Sequence, residues 1–162
     1  MKIGSLTWMA ENLNYETETS ACPDGDSRNC KRMGRLYTWA EAKTVCPEGW
    51  RLPTKSDFEA LVVAASGDAA RPLAGAALKA KDGWFKKGNG SDALGFRTLP
   101  AGYRGADGKF DGIGGYAYFW SATEDPENSE SNAFYLFLSF SSDAASINAF
   151  AKEDYRSVRC VR

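Results

Sequence analysis

The chain contains no histidine, which removes Ser-His-Asp triads, histidine-ligated zinc and imidazole proton transfer together. Its four cysteines, Cys22, Cys30, Cys46 and Cys160, contain no CxxC pair, so zinc and thioredoxin-like redox chemistry fail on spacing. An even set of four is better accounted for by disulfides. Cys22 and Cys30 flank Pro23-Asp24-Gly25-Asp26-Ser27-Arg28-Asn29, a polar, turn-rich loop that a short bridge would rigidify. Cys46 with Cys160 would join the first third of the chain to its final strand. On loop-entropy grounds the long closure contributes about 4–5 kcal/mol and the short one about 3 kcal/mol. Two disulfides imply an oxidising, extracytoplasmic compartment. The alternative is four buried thiols acting as small hydrophobes in a reducing one.

Carboxylates are the remaining acid-base groups. Glu124 or Asp125 with Asp143 or Asp154 would be the candidates for a glycosidase-type pair, but nothing in their spacing selects one. No catalytic residue is assigned. Asp107-Gly108-Lys109-Phe110-Asp111-Gly112 places two carboxylates in a Gly-rich loop, as calcium would require, and Asp24-Gly25-Asp26 is similar. Two aspartates in a turn are more often turn formers, so no cofactor is expected, and calcium is the one ion worth testing.

Binding has the stronger case. Between residues 132 and 154, aromatic, amide, hydroxyl and carboxylate side chains mix, and Asn132, Phe134, Tyr135, Phe137, Ser139, Ser141, Asp143, Asn148, Phe150 and Asp154 are the candidate ligand contacts. Aromatic faces beside amides and hydroxyls suit a protein patch and a sugar equally. Against this, Ala133 to Phe140 is almost continuously apolar, as a strand buried on both faces would be, which would return about half of these aromatics to core.

The elements that must position these residues change character midway. Thr38 can cap a helix through Val45 with Trp39, Ala42 and Val45 or Cys46 on one face, and Pro47 stops it. Pro53-Thr54-Lys55-Ser56-Asp57 opens a second helix with Phe58, Leu61, Val62 and Ala65 at i, i+3, i+4 and i+7, ended by Gly67. A short Ala-rich helical turn between Ala69 and Lys81 would be anchored by Leu73 and Leu78. Beyond Gly83, glycines punctuate short aromatic runs, and strands are expected at Phe96 to Leu99, Tyr116 to Ala122, Ala133 to Phe140, Ser146 to Phe150 and Ser157 to Val161. Helices first and antiparallel strands later make an α+β domain.

At 162 residues the chain suits one domain, residues 1–162, with its own core. Twenty Lys+Arg against twenty-one Asp+Glu leave a net charge of −1, which removes the electrostatic case for nucleic acid or an anionic membrane. No apolar run is long enough to span a bilayer, so no direct membrane insertion is expected. Met1-Lys2-Ile3-Gly4 lacks the apolar core of a secretory signal, so an exported form would have lost its targeting segment or carry it on a larger parent. Trp8, Trp39, Trp50, Trp84 and Trp120, taken singly, are each expected in the core.

Six blocks carry a resemblance that runs nearly end to end. They are Trp8-Met9-Ala10-Glu11-Asn12-Leu13-Asn14-Tyr15, Gly34-Arg35-Leu36-Tyr37-Thr38-Trp39-Ala40-Glu41-Ala42, Cys46-Pro47-Glu48-Gly49-Trp50-Arg51-Leu52-Pro53-Thr54, Leu99-Pro100-Ala101-Gly102-Tyr103-Arg104, Phe119-Trp120-Ser121-Ala122-Thr123-Glu124 and Ser157-Val158-Arg159-Cys160-Val161. In this order they resemble the Fibrobacter succinogenes major paralogous domain family. The resemblance implies a C-type-lectin-like fold of the formylglycine-generating-enzyme branch, carried on secreted or lipoprotein-type surface proteins, with a disulfide tying the first helix to the last strand. The formylglycine-generating activity is not carried over, because it needs a reactive cysteine pair and the four cysteines here fit disulfides. The stretch Asp154-Tyr155-Arg156 departs from the family, which usually has a glycine and an aromatic there.

A narrower resemblance covers the last third. Tyr118-Phe119-Trp120-Ser121-Ala122-Thr123 and Arg156-Ser157-Val158-Arg159-Cys160-Val161-Arg162 frame a polar-aromatic segment, as in the variable proteins of diversity-generating retroelements. That resemblance implies a receptor diversified within residues 132–154.

Overall fold

The computed structural model describes residues 1–67 and 73–162. The chain opens with a hairpin of two short strands, β1 (Lys2–Ile3) and β2 (Leu6–Thr7). Trp8, just beyond it, bridges Val161 at the other end of the chain. The loop between Cys22 and Cys30, expected as a polar turn, is largely helical: Asp26 accepts the Arg28 N–H at 2.9 Å and caps α1 (Ser27–Met33). Gly34 then turns the chain at φ 76°, where an added Cβ would lie 2.7 Å from Asn12 Cβ, and leads into β3 (Leu36–Tyr37).

Two capped helices follow, as the periodicity predicts. α2 is only Trp39–Ala42, because Thr44 and Val45 both donate to the Glu41 carbonyl and the turn tightens before Cys46. α3 spans Lys55–Ser66 and ends at Gly67 in the left-handed conformation. Both start with a capping box, Thr38 with Glu41 and Thr54 with Asp57. Each hydroxyl accepts the N3 amide while the N3 carboxylate takes the N-cap amide, so two otherwise orphaned donors are met at once. α4 is the single turn Gly75–Leu78. Leu78 is fully buried as expected, but Leu73 is 59% exposed and is not an anchor. The start of that expected segment, residues 69–72, lies outside the described residues.

The Gly-rich half forms β4 (Ala101–Arg104), β5 (Phe110–Ile113), β6 (Tyr116–Glu124), β7 (Asn132–Ser139), β8 (Ala145–Ala151) and β9 (Arg156–Ser157). Two expected strands need correction. Phe96 to Leu99 makes only a bridge between Thr98 and Lys79, since Arg97 has a positive φ of 49° that breaks the extended run. Ser157 to Val161 is a regular strand only at its start. The Val158 and Cys160 carbonyls instead accept from Leu13 and Met9, in an irregular N-terminal segment that cannot continue a ladder.

β6 is the centre of a mixed sheet: β7 runs antiparallel along one edge, while β4 meets the other edge at Ala117 and β9 at Phe119, both parallel. β8 pairs beyond β7, β5 beyond β4, and β3 beyond β9. Period-2 alternation then sorts the side chains. On one face, Ala117, Phe119, Leu136, Leu138 and Ala145 pack against Phe58, Leu61 and Val62 of α3, with Trp8, Trp84 and Phe96 completing the core. On the other face, Trp120 and Ala133 are covered by Tyr37, Trp39, Leu52, Val158 and Cys160. Buried indoles find partners: Trp39 Nε1–H donates to Ser121 O and Trp120 Nε1–H to Tyr37 O, each at 2.8 Å.

Both cysteine pairs are bonded, Cys22–Cys30 and Cys46–Cys160, which points to folding in an oxidising compartment. Beside the second bridge, the fully buried Arg159 donates to Asn12 Oδ1 and Phe96 O, clamping the N-terminal segment to the last one. Burial holds its guanidinium down at about 9, so it remains charged at neutral pH.

Candidate functional site: an aromatic sheet face around Arg156

The second sheet face is covered only at its Trp120 end. Beyond it, the outward residues of four strands meet. β6 contributes Tyr116 and Tyr118, β7 contributes Tyr135 and Phe137, β4 contributes Tyr103, and β8 contributes Ser146, Asn148 and Phe150. The register fixes this set, because Tyr118 lies opposite Phe137, Tyr135 opposite Asn148 and Phe137 opposite Ser146. The rings touch in a continuous chain: Tyr103–Tyr118 at 5.3 Å, Tyr118–Phe137 at 5.1 Å, Tyr118–Tyr135 at 5.7 Å and Tyr116–Phe137 at 5.8 Å between centroids. Such contacts are worth about 0.5–1.5 kcal/mol each beyond the area they bury, so the face is stiff while its outer side remains accessible. Phe150, at its rim, is 56% exposed.

Within this face a cleft of about 160 Å³ is lined by Tyr103, Tyr118, Tyr135, Phe150, Asp154 and Arg156. Arg156 comes from β9, where Tyr37 across the ladder fixes its direction. Its guanidinium lies 4.0 Å from the Tyr135 ring centroid, 4.6 Å from Trp120 and 5.2 Å from Tyr118. Nη2 donates to Asp154 Oδ2 at 2.8 Å. The other Asp154 oxygen accepts the Ala106 N–H at 3.3 Å, which fixes the carboxylate to the β4–β5 loop. Nε and Nη1 of Arg156 have no hydrogen-bond partner; among the described residues the only other such buried side-chain atom is Thr98 Oγ1. Burial pushes the Tyr118 phenol well above its ordinary pKa, against the opposing pull of Arg156. The hydroxyl therefore remains a proton donor across the physiological range.

The structure gathers some of the sequence-predicted residues and disperses others. Tyr135, Phe150 and Asp154 line the cleft, and Phe137 and Asn148 belong to the same face. Phe134 points the opposite way, under Lys55 Nζ at 4.5 Å. Asn132 sits at the far end of β7, where its carbonyl accepts from Asp125. Ser139, Ser141 and Asp143 cluster at the β7–β8 turn around the buried Lys79, whose ammonium donates to Ser139 O at 3.2 Å and Ser142 O at 2.9 Å and approaches Asp143 Oδ1 at 3.5 Å. Ser139 is itself buried and shares a hydroxyl contact with Ser141. The strand Ala133 to Phe140 is thus buried through Leu136 and Leu138 on one face, whereas on the other Ala133 and Ser139 are buried and Tyr135 and Phe137 between them are partly exposed.

Tyr103, Tyr116, Tyr118 and Arg156 were not among the predicted contacts. The signal for the tyrosines was present in the alternation Tyr116, Tyr118, Trp120, which puts three aromatics on one side of a strand. No local pattern brings in Tyr103 or Arg156, since both arrive through cross-strand pairing.

The carboxylates considered for hydrolysis are engaged separately. Glu124 Oε1 accepts from Lys152 at 3.0 Å, and Asp125 caps the turn at Glu127 and Asn128. Asp143 lies at the opposite end of the eight-residue β7. At about 3.3 Å per residue that places it roughly 25 Å from Glu124, against about 5–10 Å in glycosidase pairs. Asp107 accepts the Lys109 N–H at 3.0 Å, which together with the Lys109 ammonium holds its pKa down, and Asp111 accepts the Gly112 N–H at 2.7 Å. Asp107 is thus a turn former, while Asp111 lies within β5 opposite Tyr103. Among the described residues no group of three or more Asp, Glu, His or Cys side chains could hold a metal ion, and no helix is long and apolar enough to cross a membrane.

The family model of the Fibrobacter succinogenes major domain matches residues 1–162. The chain belongs to this family. None of the curated proteins and none of the solved structures matches it significantly. In this Fibrobacter succinogenes major domain the six sequence blocks are chiefly scaffold: Trp8, Tyr37, Trp39, Leu52, Trp120 and Cys160 are all buried. The outward residues of β7 and β8 lie outside those blocks, whereas Tyr103 of the aromatic face lies within one.

Proposed function

We propose that this domain is an extracytoplasmic, non-catalytic binding module of C-type-lectin-like fold that engages a protein or carbohydrate ligand on the aromatic face of β4, β6, β7 and β8. The observation that carries this reading is the continuous, accessible face of Tyr103, Tyr116, Tyr118, Tyr135, Phe137 and Phe150 with Asn148 and Ser146 beside it. A monomer rarely leaves such a patch open without use, and Tyr with Ser and Asn is the composition that binding surfaces favour. The lectin-like assignment is supported by early helices, a late sheet, and a disulfide joining the segment after α2 to the end of the chain. Secretion or surface display is supported by the two disulfides.

The test compares the oxidised wild-type domain with a Phe150→Ala/Tyr118→Ala variant in glycan-array and pull-down experiments. Binding by the wild type that the variant loses supports the reading, and a wild type blank in both experiments overturns it. A second reading, a receptor diversified within residues 132–154, is favoured by the different exposure of the two faces of the β7–β8 hairpin. Leu136, Leu138 and Ala145 are buried on one face while Asn148 and Phe150 are exposed on the other, so exposed positions could change without disturbing the frame. It requires a reverse transcriptase and a near-copy template of this segment in the gene neighbourhood, and their absence there would rule it out.

A further inference from the structure

We infer that the cleft between Tyr103, Tyr118, Tyr135 and Phe150 is a subsite for a single pyranose ring of a carbohydrate, with the Arg156–Asp154 pair as its floor. This rests on the binding role proposed above and assigns the ligand class to one place on the face. The argument starts from an unmet demand. The Arg156 side chain is 3% exposed, yet its Nε and Nη1 donate to nothing. A buried donor left without an acceptor costs about 1–3 kcal/mol, a cost that a ligand carrying acceptors would relieve. Both oxygens of Asp154 are already engaged, one by Arg156 and one by the Ala106 amide. The site therefore calls for acceptors and has no free carboxylate to offer a cation.

The arrangement of the two free donors narrows the ligand further. Nη2 gives one of its two N–H groups to Asp154, and the unpartnered Nε and Nη1 lie on different edges of the guanidinium. One carboxylate cannot bridge them, whereas hydroxyl and ring oxygens spaced around a sugar can reach two separated donors. The walls match the rest of such a ligand. A pyranose has apolar C–H faces that stack on aromatic rings, and four rings surround the cleft. The Tyr118 hydroxyl, held protonated, adds a donor that is also an acceptor. The volume of about 160 Å³ suits one ring and no larger anchor. Nε and Nη1 are themselves buried, so a ligand reaches them only if a wall turns aside, and Phe150, with its ring centroid 5.9 Å from the guanidinium carbon and more than half exposed, is the wall with room to do so.

Saturation-transfer difference NMR on the oxidised domain with glucose, galactose, mannose, N-acetylglucosamine and galacturonic acid tests this, followed by titration of any binder against Phe150→Ala and Tyr103→Ala. The expected result is transfer to the ring protons of at least one sugar. Affinity should fall at least tenfold in each variant while the melting temperature of Phe150→Ala is unchanged. Silence from all five sugars overturns the inference, as does binding that both variants retain. If the sugars are silent but a protein captured by the wild type is lost in Phe150→Ala, the aromatic face stands as a binding surface and the sugar subsite falls. Silence in both assays brings down both.

Discussion

A guanidinium buried among aromatic rings with one carboxylate partner is held by two different forces, and substitutions separate them. In Arg156 the cation–π contacts to Tyr135 and Trp120 and the ion pair to Asp154 act on the same group. Arg156→Met keeps much of the packing but leaves the Asp154 carboxylate, 8% exposed, without its counter-charge. Removing one member of a buried pair costs about 3–5 kcal/mol. Urea denaturation should show a loss near the lower end of that range for Arg156→Met, and Asp154→Asn combined with it should recover part of the loss. A double variant no better than the single one would mean that the rings, not the carboxylate, hold Arg156 in place. Gly34 is constrained in a different way. Its φ of 76° is strained for any side chain, and an added Cβ would also meet Leu13 O at 2.8 Å. Gly34→Ala should cost about 1–3 kcal/mol, read as a lower urea midpoint, while the exposed Phe150→Ala should stay within about 0.5 kcal/mol of wild type.

At the level of elements, the two capping boxes make stability depend on acid pH. Burial raises the pKa of Glu41, but hydrogen bonds from Thr17, Thr19 and Thr38 outweigh it and leave it below its ordinary 4.5. Burial likewise raises Asp57, and Arg51 with Thr54 outweigh it and leave it below 3.8. A carboxylate whose folded pKa lies below its unfolded one contributes fully above the unfolded value and loses that contribution as pH falls through the folded one. Denaturation midpoints should therefore be level with respect to these two groups above their ordinary values and decline as pH drops below them. Asp57→Asn should start lower at neutral pH and show a shallower acid limb, and Thr54→Ala should cost about 1 kcal/mol. These elements were also the legible ones. The i, i+3, i+4, i+7 pattern from Phe58 to Ala65 and the Gly67 stop are local, so α3 was readable nearly to the residue, and β6 to β8 to within about two. α1 escaped because it buries only Cys30 and Met33, too few for a period. The site was half legible: Tyr135, Phe137, Asn148 and Phe150 lie on one hairpin, but Tyr103 and Arg156 reach it through pairings that no local pattern encodes.

Across the whole molecule, the two ends of the chain are zipped together, and this decides which disulfide matters more. Thr7 and Arg162 exchange backbone hydrogen bonds at 2.9 Å, and Arg51 and Val161 do so at 2.8 Å. The last segment is thus held between two early ones, and Cys160, fully buried, bonds Cys46 across a separation of 114 residues. The Cys22–Cys30 bridge spans only 8 residues and closes a loop already organised by the Asp26 cap. Loop entropy assigns about 4–5 kcal/mol to the first and about 3 kcal/mol to the second. Cys46→Ala/Cys160→Ala should therefore lower the urea midpoint more than Cys22→Ala/Cys30→Ala, and should leave the domain largely unfolded at 37 °C if its total stability is typical. The short-loop variant should keep the β6, β7 and β8 part of the aromatic face intact, because these strands pair with one another and pack on α3, whereas β4, which carries Tyr103, packs against residues 23–25 of that loop. Near-UV circular dichroism of the tyrosine cluster, followed beside the urea midpoint, separates the two cases. Equal stability losses for the two variants would show that strain or local packing, not chain closure, sets what each bridge contributes.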